Sequence, residues 1–107
     1  MNRYLLNSPV LTDFGHWHYI GPLSVEQARA FASAGPWQSA IGHAETARFL
    51  SQALGMEVPC ARIAVHMQPG DEALVLRLLM RLPEGHVLDA DALARLPHSY
   101  GLLRRLD

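Results

Sequence analysis

The chain has 107 residues and half of them are apolar, enough for one domain with one core over residues 1–107. Nine arginines and no lysine stand against ten acidic residues, for a formal net charge of −1. That balance argues against gripping long DNA or RNA along a basic face, but it leaves room for a local pocket of guanidinium forks.

Other classes are excluded by pattern. No apolar run approaches the roughly 20 residues of a membrane span. The opening Met1-Asn2-Arg3-Tyr4-Leu5-Leu6-Asn7 turns polar too soon for a signal peptide. The single cysteine, Cys60, permits no intrachain disulfide, so the expected compartment is the reducing cytoplasm. Cys60 itself reads as a buried structural thiol. A domain this small buries only about two-thirds of its unfolded surface, so a partner subunit would widen a thin stability margin.

In chain order, Arg3–Leu6 reads as a first strand, ended by Asn7-Ser8-Pro9. Val10–Phe14 could extend or turn. His16–Ile20 alternates around two aromatics as a second strand, closed by Gly21-Pro22. Ser24 and Gln27 form a capping box that opens a helix, whose stripe is Ala28, Phe31 and Ala32 and whose stop is Gly35-Pro36. Trp37–Ile41 is a short strand candidate. Gly42-His43 turns it into a second helix, Ala44–Leu54, with Gly55 as C-cap.

Arg62–Met67 alternates as a further strand, and Pro69-Gly70-Asp71 is a turn. Ala73–Leu82 has helical leucine content but strict period-two alternation, which favours a strand. Pro83-Glu84-Gly85 breaks that run. Asp89–Leu96 reads as a short helix N-capped by Asp89, ended by Pro97. Gly101–Leu106 reads as a final edge strand. The result is one α/β domain, a mixed sheet with helices packed on it.

Several residues have the chemistry of a site. His43 stands where a strand-like segment meets a helix start, a place rich in unpaired N–H groups that favours anions. An imidazole there could hand a proton to a phosphate-ester leaving group, or simply cap and pack. Arg81 could fork onto a phosphate, and Glu84 could orient it; alone, they could be an idle surface pair. Arg77 shares a strand face with Arg81 among leucines, which points to anion binding by at least one of them. His16 and His18 have the spacing of a metal pair, but no further ligands complete a set, and no metal is expected. His66 reads as a mid-strand residue, Arg104-Arg105 as solvated, and Trp37 as core rather than a base-stacking platform.

Four segments taken in order resemble one family. They are Tyr4-Leu5-Leu6-Asn7, Ala40-Ile41-Gly42-His43 before a helix, Arg62-Ile63-Ala64-Val65, and Arg81-Leu82-Pro83-Glu84-Gly85 before Val87-Leu88. Together they resemble the type III anti-CRISPR ring nucleases of viruses that infect archaea and bacteria, over nearly the whole chain. The resemblance implies a mixed, roughly five-stranded sheet flanked by helices, dimerised into a continuous platform. It implies cyclic tetra-adenylate as substrate, no cofactor, and His43, Arg81 and Glu84 as catalytic residues. Asn7, Ser8 and Arg62 fall in or beside segments that line the family's ligand pocket, with Gly42 beside His43 and Arg77 as a further substrate contact.

The implied chemistry is self-consistent. An RNA linkage carries its own nucleophile, the adjacent 2′-hydroxyl. Arg81 would stabilise the charged phosphorane, His43 would protonate the leaving 5′-oxygen, and Glu84 would orient one of them or the sugar. The products would be linear di-adenylates with 2′,3′-cyclic phosphate ends. A non-catalytic sponge for the same ring, and a dimeric DNA- or protein-binding module, are the competing readings.

Overall fold

The structure is a computed structural model and describes residues 2–79, 95 and 97–107. Among the described residues, five strands and two helices follow in the order β1 (Arg3–Leu6), β2 (Trp17–Leu23), α1 (Val25–Ser33), β3 (Gln38–Ser39), α2 (Ala44–Leu54), β4 (Glu72–Leu78) and β5 (His98–Arg105). The strands form one mixed sheet in the order β2-β5-β4-β1-β3. β3, β1 and β4 run parallel, with Leu5 opposite Ser39 on one side and Leu74 on the other. β5 is antiparallel to both β4 and β2.

Both helices carry the sequence signals that make them. Ser24 Oγ accepts from the Gln27 backbone N–H at 3.1 Å, while Gln27 Oε1 accepts from the Ser24 N–H at 2.8 Å, so two free donors at the start of α1 are satisfied reciprocally. α2 ends at Gly55, which is left-handed with φ 71°, a conformation that glycine adopts without a Cβ penalty. The helices pack on one face of the sheet. There Ala28, Ala32, Ala47, Phe49, Leu50 and Leu54 meet Leu5, Leu74, Leu76 and Tyr100. On the opposite face, away from α1 and α2, Tyr4, Leu6, Ala73, Val75 and Leu103 form a second cluster with Met67. β4 is thus buried on both faces from Ala73 to Leu76, which explains why those four residues are all apolar.

Five expectations are corrected. Arg62–Met67 is not a strand; it makes single bonds, such as Met67 N–H to Thr12 Oγ1 at 3.0 Å, and lays Val65 and Met67 onto this second cluster. Only Gln38–Ser39 of the Trp37–Ile41 candidate pairs, because Ile41 turns away to fill the helix-side core. β2 continues through Gly21-Pro22 to Leu23, with a register shift between Ile20 and Leu23. β5 is an interior strand, held between β2 and β4 rather than at an edge. Cys60 is exposed, since Val58 takes the core position and the chain leaves the interior after it. The expected helix Asp89–Leu96 and the residues Arg81 and Glu84 lie outside the described residues.

Candidate functional site

The three parallel strands end on the same side of the molecule, and the segments that follow them carry most of the candidate residues. Asn7 and Ser8 follow β1; Asn7 is half-buried and Ser8 exposed. Ile41, Gly42 and His43 follow β3 and lead into α2. In open sheets with parallel strands, this carboxyl end is where ligands bind.

His43 is the N-cap of α2, with extended backbone at φ −125° and ψ 127°. Its carbonyl accepts the first helical bond, from Ala47 N–H at 3.0 Å, but its imidazole makes no capping bond and stays exposed. The ring is therefore available to a ligand, at a helix end whose first-turn N–H groups favour negative charge. Glu45, in that first turn, has a buried Oε2 without a hydrogen-bond partner; Arg48 Nη1 lies 3.8 Å away.

Gly42 and Arg62, twenty positions apart in sequence, are in direct contact. Arg62 Nε donates to the Gly42 carbonyl at 2.9 Å, and Ala61 N–H donates to the Ile41 carbonyl at the same distance. A Cβ on residue 42 would stand 3.2 Å from Arg62 Cγ, so glycine lets the arginine stem lie close against the backbone. Arg62 is exposed, and its two Nη groups have no partner among the described residues. One guanidinium edge is thus anchored beside His43 and the other is free for an anion.

Arg77 lies near the end of β4, on the side away from α1 and α2, opposite Ser99 of β5. It borders a groove that also includes Tyr19 and Gly101, none of which stands out in the sequence; only a glycine facing a tyrosine strand could have hinted at it. His16 and His18 do not act as a pair. The His16 imidazole and its backbone N–H both bond the Asp107 carboxylate, which holds that acid below its usual range. Trp37 is half-buried and donates its indole N–H to the Ala32 carbonyl at 3.1 Å, a packing role. His66 is exposed.

Residues 3–100 match the STIV B116-like family. Uncharacterized protein 26 of Sulfolobus islandicus filamentous virus is 33% identical over 88 residues, spanning 79% of this chain and 75% of its own. Uncharacterized protein ORF117 of Acidianus two-tailed virus is 39% identical over 89 residues, spanning 79% and 76%. The solved structure of B116 from Sulfolobus turreted icosahedral virus superimposes with a TM-score of 0.75 at 23% identity, covering 98% of this chain and all of that one, so the two share the fold. With a family match over most of its length and archaeal-virus relatives above 30% identity, the chain belongs to the STIV B116-like family.

Proposed function

We propose that the protein is a homodimeric, metal-independent ring nuclease that opens cyclic tetra-adenylate, the messenger of type III CRISPR defence, and so silences that signal. The observation that carries this reading is the exposed, uncommitted His43 imidazole at the mouth of α2, next to the Arg62 fork anchored on Gly42. A proton donor and a free guanidinium edge, beside a helix end that favours anions, suit a phosphodiester.

In this reading, the ribose 2′-oxygen attacks the adjacent phosphorus as its proton passes to solvent. The bond from phosphorus to the 5′-oxygen breaks, and His43 supplies the proton that the departing oxygen needs. Arg81, placed by the family resemblance, carries the phosphorane charge, and Glu84 orients the sugar or a partner side chain. Asn7, Ser8 and Arg62 hold the ring against the strand ends. Two symmetric sites on a dimer suit a four-fold ring, because an isologous interface offers the ligand equivalent contacts. The expected products are two linear di-adenylates with 2′,3′-cyclic phosphate ends.

The test is incubation of the purified protein with cyclic tetra-adenylate in excess EDTA, followed by chromatography and mass spectrometry. Conversion to di-adenylates with cyclic phosphate ends is expected. Cleavage that EDTA abolishes and Mg²⁺ or Mn²⁺ restores would refute the mechanism. A ring that is bound but never cut would make the protein a sponge, and no interaction at all would remove the substrate assignment.

A further inference from the structure

We propose that the groove between β2 and the end of β4, on the face opposite α1 and α2, is a binding site for a nucleoside monophosphate, with the base stacked on Tyr19 and the phosphate held by Arg77. Its lining includes none of Asn7, Ser8, Gly42, His43 or Arg62; Arg77 is the one candidate ring contact it takes in, so the proposal gives that arginine a second ligand and goes beyond the ring-cleavage reading.

The groove is a product of sheet geometry. β2 slips register against β5 between Ile20 and Leu23, and the irregularity opens a cavity of about 380 Å³. That volume is within the range of small-molecule sites. Its floor is Gly101. A Cβ built there would meet Tyr19 Cε1 at 2.5 Å and Tyr19 Oη at 2.9 Å, so only a glycine lets the phenol ring lie across the strand. Tyr19 is nevertheless 44% exposed, which leaves the outer side of that ring open. Leu79, 53% exposed, adds an apolar wall.

Arg77 supplies the charge. It is exposed and makes no hydrogen bond or ion pair among the described residues. Its register partner Ser99 puts a hydroxyl on the same face. Among the described residues, no carboxylate lines the groove. Tyr100 contributes to the lining but cannot add a negative charge near neutral pH, because burial, only partly opposed by Arg29, raises its phenol above the usual value.

Such a site has two complementary halves. A guanidinium fork and a hydroxyl grip phosphate oxygens. An open aromatic face takes a planar base. A free phosphate would use only the first half and a nucleoside only the second. A nucleoside monophosphate uses both at once.

The experiment is an NMR titration of the full chain with AMP, beside adenosine and inorganic phosphate. Saturable AMP binding is expected, with each fragment weaker by about tenfold or more. Arg77→Gln should weaken AMP binding by about tenfold, since it removes the charged fork. Tyr19→Leu should weaken it by a similar factor through loss of stacking. The shift changes should gather at Ser99 and Gly101 and spare Ser8, Gly42 and His43. Far-UV circular dichroism and the urea midpoint establish that each variant is folded. The proposal fails if the folded parent shows no saturable binding, or if Arg77→Gln binds AMP unchanged. It also fails if the shift changes gather at Ser8, Gly42 and His43, which would put the nucleotide against the loops that follow β1 and β3. Ring cleavage is read separately, so its absence leaves this result standing.

Discussion

At the scale of the residue, His43 has a structural duty and a free functional group. Its backbone starts α2 while its imidazole stays out of the capping bonds. Loss of the ring should therefore spare the helix. We expect His43→Ala to keep the parent's thermal stability and its affinity for cyclic tetra-adenylate, because a proton given late in the reaction adds little to ground-state binding. Turnover should fall by roughly 10²–10⁴-fold, the usual range for a general acid. Single-turnover kinetics beside a binding titration checks both halves, and an affinity that collapses with the rate would recast His43 as a binding residue. His43 was legible in the sequence because everything that places it is local: a glycine before it and a helix after it. The Gly42–Arg62 bond was not legible, since the partners come from segments twenty residues apart that meet only in the folded chain.

At the scale of the element, local signals succeeded where they were local causes. Ser24 and Gln27 exchange bonds as their spacing predicts. Replacing Ser24 with alanine should cost about 1 kcal/mol, the typical worth of such a cap. Urea denaturation should show a lower midpoint with an unchanged slope, and an unaltered midpoint would mean that packing alone fixes the start of α1. Arg62–Met67 misleads for a physical reason. Its alternation is real, since Val65 and Met67 do turn inward while their neighbours face out. The segment covers a sheet face instead of joining the sheet, and period two does not distinguish these. β5 misleads differently, because strand order is a long-range property, and a run ending in Arg104-Arg105 looks the same whether it lies at an edge or inside. Here those arginines are engaged: Arg104 Nη2 donates to Glu72 at 2.9 Å, and Arg105 Nη1 donates to the Met67 carbonyl at 2.6 Å.

At the scale of the whole molecule, the surface keeps apolar side chains that one copy leaves in water, including Leu11 at 62% exposure and Phe14 at 94%. With the small core, they support a second subunit. Light scattering at micromolar concentration should give twice the 11.9 kDa chain mass. A monomer under those conditions would remove the two-site picture of ring opening, because protomer concentration would no longer hold the sites together. The sheet order has a further consequence, for the way the chain finds its shape. Arg3 lies beside Glu72, and Trp17 beside Arg105. Until β5 inserts, β2 has no partner and β4 has only one. β1 can pair early with β3, but β2 must wait, unpaired, and β1 must wait for its second partner, until strands that lie most of a chain length away are in place. Each closure of so long a loop is opposed by entropy before any contact rewards it. Helices α1 and α2 can flicker into existence early on their own caps, but the sheet forms late and nearly all at once. The same topology that gathers distant residues at one end of three strands makes folding a slow, concerted event for a protein of this size.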